Sequence, residues 1–424
     1  MYAHEALDTP AYQRLGEIYE AALAAADDPD EPADREAAYL AALRAARADG
    51  DAALVAAAWY YLAKFWDGAG EREKACTAHL RLLATENATF GPTHAELTGS
   101  WHNFGAFLTD ADEPALVECG MRLSLALKRL GGDEDHEAVH QLIMVLWNAD
   151  QYDRMFRWAP HLAGWTERED LGHAHRCLGH AYGRVARHDE ARAAYELSLR
   201  HLRPDDENYE DALLGHAEVF VERVAARVRA PAGVLADLRA LVDDPDAAAS
   251  FRRRAMNALV ACGTADDLPR LFTMAAEPPV TVHHTYVTLV RRGFAVAELH
   301  QALRAVADRS PDNHARDALA RFELDQGIDA RAALRAACDG GAQELVGRLA
   351  LLLLDDGDAA GLDALGERHP DRRAMLRVVR AVLDVERGPT ADTMLAVYAA
   401  FAAWATPWAA RLDDHGKPIG RRGK

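Results

Sequence analysis

The 424-residue chain has little of several features that mark large protein classes. It carries only five cysteines, Cys76, Cys119, Cys177, Cys262 and Cys338, and no two form a C-x-x-C pair. An odd, scattered set excludes a disulfide framework and reads as buried thiols in a reducing cytosol. Aromatic residues are 7% of the chain. A core with so few rings rests on Ala, Leu and Val. That implies closely packed helices, because Ala is the best helix former and a poor strand former. Alternating β-branched runs joined by hairpin turns are nearly absent. Positive charge is also scarce, with 48 Lys and Arg against 67 Asp and Glu and a net charge of −19. A nucleic-acid interface needs clustered Lys and Arg, and the short run Arg252-Arg253-Arg254 is more simply a solvated face.

Long apolar runs are missing too. The N-terminal residues lack the basic and apolar segments of a signal peptide. Residues 393–410 are uncharged but rich in Ala and interrupted by Pro407. They read as a buried terminal helix rather than a membrane span. A cytoplasmic protein without membrane or nucleic-acid partners is expected. The Ala-, Arg- and Asp-rich composition points to a bacterial source.

What is abundant is helical periodicity. Amphipathic segments run almost end to end, separated by short breaks such as ADDPDEP, ADGD, RPDDEN and DDPD. The expected fold is all-α, a solenoid of antiparallel helix pairs. The expected organisation is helical repeats over residues 1–206, degenerate repeats continuing the solenoid over 207–412, and a disordered basic tail at 413–424.

The clearest unit is GHAHRCLGHAYGRVARHDEARAAYELSLRHLRP, residues 172–204. It supplies Leu178, Gly179 and Tyr182 in a first helix, then Ala191, Tyr195 and Ser198 in a second, with Pro204 following. The frame recurs at Trp59, Leu62, Ala63 and Trp66, at Trp101, Phe104 and Gly105, and at Leu142, Ile143 and Leu146. Weaker copies start at Leu15-Gly16 and Leu214-Gly215. These landmarks resemble the tetratricopeptide repeat (TPR), over about residues 9–230. In that family small residues let paired helices approach and aromatics fill the gap to the next pair. The resemblance implies a concave groove lined by first-helix side chains. Carried over position by position, it assigns to the groove Tyr60, Lys64, His102, His140, Asn148, His173, Arg176, His180, Arg184 and His216. This set is rich in His and Arg although the chain is acidic, a local reversal of sign that suits an acidic or carboxylate-bearing peptide. Arg176, His180 and Arg184 follow one another at four-residue steps and should form one stripe on a helix.

One motif has a competing chemistry. His136-Glu137-Ala138-Val139-His140 matches H-E-x-x-H, which in zinc hydrolases sets two imidazoles one helical turn apart with the glutamate as general base. Acidic residues precede it, and no G-x-x-H follows it directly, because Ile143 stands where that extended motif has glycine. Phosphate-binding loops and nucleophile elbows are absent. The expected function is a non-catalytic scaffold or regulatory adaptor that binds a protein or acidic peptide in the groove, without a cofactor. The alternatives are a zinc hydrolase built on His136, His140 and Glu137, and a sensor of a signalling peptide.

Overall fold

The computed structural model describes residues 10–24, 31–108, 114–131, 136–148, 150–163, 165, 168–225, 232–247, 249–275, 282–309, 314–343, 345–407 and 409. Among these residues the regular structure is helical, with no strand. The order is α1 (Pro10–Ala24), α2 (Pro32–Asp49), α3 (Ala52–Gly68), α4 (Arg72–Phe90), α5 (Leu97–Phe107), α6 (Pro114–Gly131), α7 (His136–Asn148), α8 (Tyr152–Trp158), α9 (Arg168–Arg184), α10 (His188–His201) and α11 (Glu207–Ala225). It continues with α12 (Ala232–Asp243), α13 (Ala249–Cys262), α14 (Leu268–Ala275), α15 (Val282–Arg291), α16 (Val296–Arg309), α17 (His314–Asp325), α18 (Arg331–Asp339), α19 (Leu345–Asp355), α20 (Ala359–Arg368), α21 (Arg373–Arg387) and α22 (Ala391–Ala405). The expected all-α chain of helix pairs, each packed on its neighbours, is what the structure contains. The tail at 413–424 lies outside the described residues.

One turn recurs at the ends of α3, α7, α9, α15, α17, α18 and α19. A residue with positive φ follows each helix: Gly70, Asp150, Ala186, Gly293, Gly327, Gly341 and Gly357. The next residue donates its N–H five residues back, as in Glu71 to Trp66 at 2.8 Å, Gln151 to Leu146 at 2.8 Å, Arg187 to Tyr182 at 2.8 Å and Ile328 to Glu323 at 2.7 Å. This is the Schellman motif, which satisfies the last carbonyls and reverses the chain in two or three residues. Such short reversals let consecutive helices lie side by side. The motif continues through the C-terminal half, where the Leu-Gly-Tyr landmarks are missing.

Contacts divide the chain into two compact units, Met1–Ala138 with Leu353–Lys424, and Val139–Leu352. The first unit is centred on Trp59, Trp66, Trp101 and Phe104, all fully buried. Its last helix, α22, buries Met394, Val397, Phe401 and Ala405, one side of the helix at three- and four-residue steps. The Phe401 ring lies 5.5 Å from Trp101 and 5.2 Å from Phe104. The uncharged stretch at 393–405 is therefore a core helix with one buried face. Among the described residues no helix is long and apolar enough to cross a membrane. A buried ion cluster also ties α21 back to α6. Arg122 contacts Glu118 at 2.7 Å and Glu386 at 2.8 Å, and also pairs with Asp355.

The second unit stacks α9 on α10 and α11. The hydroxyl of Ser198 donates to the Gly172 carbonyl at 2.8 Å. The C-terminal end of α9 is held by distant side chains. Arg291 donates to the Gly183 carbonyl at 3.1 Å and Gln326 to the Val185 carbonyl at 3.0 Å. These bonds satisfy carbonyls that the helix end leaves without intrahelical partners, and they tie the end of α15 and the turn after α17 to the end of α9. Nearest-neighbour stacking is thus supplemented, within each unit, by packing between helices far apart in sequence.

Candidate functional site

The groove candidates fall into both units. Tyr60, Lys64 and His102 belong to the first. Tyr60 is buried, and burial, with the neighbouring Tyr61, pushes its hydroxyl pKa up to about 12. Lys64 lies over the Tyr60 ring at 5.6 Å. His102 is buried in α5. The remaining candidates, from His140 onward, belong to the second unit and gather around α9.

α9 carries four of them. At its start the His140 ring of α7 lies 5.5 Å from the His173 ring and 5.5 Å from Trp165. Burial, then the Arg176 charge and His140, lower the His173 pKa to about 4. Burial likewise lowers that of His140, against the opposing pull of Asp170. His173 is therefore neutral at pH 7. Next along α9, Arg176 is buried and its Nη1 lies 3.4 Å from Asp211 of α11. The half-buried His180 ring meets Tyr195 edge-on at 5.5 Å. Arg184 is exposed at the last turn. Asn148 is exposed at the end of α7, and the half-buried His216 of α11 sits 3.8 Å from Glu196. The stripe thus grades from buried to open along α9.

Arg184 opens onto a cavity of about 330 Å3, lined also by Asp150, Tyr152, Arg321, Asp325 and Arg348. The lining is fixed from outside. Arg321 donates to Asp317 at 3.0 Å, Arg348 pairs with Asp153, and the Tyr286 hydroxyl donates to Asp325. Tyr152 donates to Asp150. Burial, together with this bond, pushes the Tyr152 pKa upward, so it keeps its proton and remains a donor. Asp150 takes a left-handed backbone at φ 53, uncommon for a residue with a side chain. Among the cavity residues only Arg184 stood out in the sequence as a binding candidate. Arg321, Asp325 and Arg348 lie where the repeat signature has faded. A possible local signal was Asp150 in place of the glycine that usually ends a Schellman turn.

The H-E-x-x-H segment forms the first turns of α7, with His136 half-buried and His140 buried. The Glu137 side chain lies outside the described residues. Among the described residues no three His, Cys, Asp or Glu side chains converge as a metal site. No protein-family model matches the chain, and no curated protein matches it.

Proposed function

We propose that this protein is a non-catalytic interaction scaffold of TPR-like helix pairs whose α9 face binds an acidic protein segment or peptide. The observation that carries the reading is the α9 stripe. Arg176, His180 and Arg184 occupy successive turns of one helix, and the last is an exposed guanidinium in a chain of net charge −19. A planar guanidinium suits a carboxylate because it offers parallel N–H donors. Two features support a repeat-like arrangement. The recurring Schellman turn keeps consecutive helices side by side, and Tyr195 fills the space between Gly179 and Gly215, as a gap-filling aromatic would.

The test is fluorescence anisotropy with a labelled glutamate-rich peptide and its glutamine-rich counterpart. The glutamate peptide should bind, and binding should weaken as salt is raised. The charge reversal Arg184→Glu should weaken it by roughly tenfold or more. Glu137→Gln should leave it unchanged, since the reading gives the H-E-x-x-H segment no chemistry. Equal binding of both peptides, or full affinity in Arg184→Glu, would remove the proposal.

A further inference from the structure

Asp150 and Arg184 line the same cavity with opposite charges, yet they do not pair with each other. Among the described residues neither has any ion-pair partner. They are set from different elements. Asp150 sits in the turn after α7, held by the Tyr152 hydroxyl. Arg184 projects from the last turn of α9, whose end is fastened by Arg291 and Gln326. A carboxylate and a guanidinium without ion pairs thus line one open space.

The rest of the lining also carries both signs of charge, already bonded to neighbours. Arg321 and Arg348 are oriented by Asp317 and Asp153, and Asp325 is oriented by Tyr286. The walls therefore present both guanidinium donors and carboxylate acceptors. A simple anion would meet the aspartates and a simple cation would meet the arginines. A ligand carrying both charges satisfies both, without adding net charge. The cavity volume, about 330 Å3, lies at the small end of ligand sites, which run from ~300 to ~1,000 Å3. The left-handed Asp150 adds to this, because residues in sparsely populated backbone regions cluster at ligand clamps.

We propose that this cavity is a binding site for a free α-amino acid, with the ligand carboxylate on Arg184 and its ammonium group on Asp150. The site shares Arg184 with the stripe proposed for peptide binding, so a bound amino acid and an acidic peptide would compete there, and the scaffold would respond to a small zwitterion.

The experiment is calorimetric titration of the full-length protein with each common α-amino acid. For any that binds, the N-acetyl derivative and the decarboxylated amine are titrated next. At least one amino acid should bind at millimolar concentration or below. Each analogue, lacking one charge, should bind more weakly by about tenfold or more. Asp150→Asn keeps a side chain that tolerates left-handed backbone. It should erase the preference over the N-acetyl derivative while retaining the preference over the amine. Arg184→Gln should do the reverse. If either variant fails to fold by circular dichroism, the analogues on the unaltered protein still decide. Absence of binding by every amino acid overturns the proposal, as does an N-acetyl derivative or an amine that binds as tightly as its parent. Peptide binding, measured separately, is untouched by that failure.

Discussion

Gly105 of α5 and Gly120 of α6 meet backbone to backbone. A Cβ placed on Gly120 would lie 2.7 Å from the Gly105 Cα, closer than real Cβ atoms approach anything. The obstacle is main chain, so it cannot swing aside as a flexible side chain would. Gly120→Ala should therefore destabilise the protein by ~1–3 kcal/mol, the range for overpacking, read as a lower midpoint in urea. Gly99 of the same α5 has open space around its Cβ position. Gly99→Ala should be neutral or stabilising by up to ~1 kcal/mol, since Ala is the better helix former. Equal losses in both variants would show that helix crossing is not the cause.

Tyr195 supplies a second steric test. Its ring lies 2.8 Å from the Cβ position of Gly179 and 2.4 Å from that of Gly215. Gly179→Leu should cost ~1–3 kcal/mol through overpacking. The smaller change Gly179→Ala should cost clearly less in a Tyr195→Ala background, because the clashing ring is gone. A double-mutant cycle on chemical denaturation measures this coupling. Additive losses would mean that the ring and the glycine do not share the space.

Ala186 ends α9 at φ 60, where the equivalent turns after α15, α17 and α19 have glycine. A left-handed residue with a Cβ pays strain that glycine avoids, partly offset by glycine's greater entropy in the unfolded chain. Ala186→Gly should stabilise by about 0.5–1 kcal/mol. Asp150→Gly should gain less or lose, because it removes the carboxylate that Tyr152 holds. Thermal melts of the two single variants compare them directly.

Histidine burial predicts a loss of stability in acid. Burial lowers His79 to about 3, while burial with the charge of His201 lowers His175 to about 4. His173 also lies at about 4. In the unfolded chain each returns to about 6.5. The unfolded state therefore binds protons first as pH falls. This contribution to stability is complete above about 6.5 and declines toward about 3. The melting temperature should fall steadily across that window, and less steeply in His79→Gln.

Glu86 acts in the opposite direction. Burial, opposed by a hydrogen bond with Ser100, raises its carboxyl to about 8. The folded state now binds the proton more tightly than the unfolded state. The group's contribution is present in acid and lost as pH rises from about 4.3 toward 8. Glu86→Gln, a neutral mimic, should raise the melting temperature at pH 8 relative to the parent and leave little difference at pH 4. A constant difference at every pH would sink the assignment.

Helical periodicity, the lack of strand patterning and the buried role of residues near 393–405 were legible along the chain, because each depends on residues within a few turns of one another. Gly105 and Tyr195 were singled out by the resemblance to a repeat family rather than by local periodicity. Local spacing also placed Arg176, His180 and Arg184 on one side of α9. Their environments were decided elsewhere. Arg176 is buried because α11 brings Asp211 to it, and His173 is kept neutral by burial and by Arg176. The cavity joins Asp150 and Arg184 to Arg321 and Arg348, residues more than a hundred positions further on. No periodicity encodes that meeting, because it depends on which helix ends the Arg291 and Gln326 side chains fasten. The tertiary fold decided where charges of opposite sign face one another without pairing.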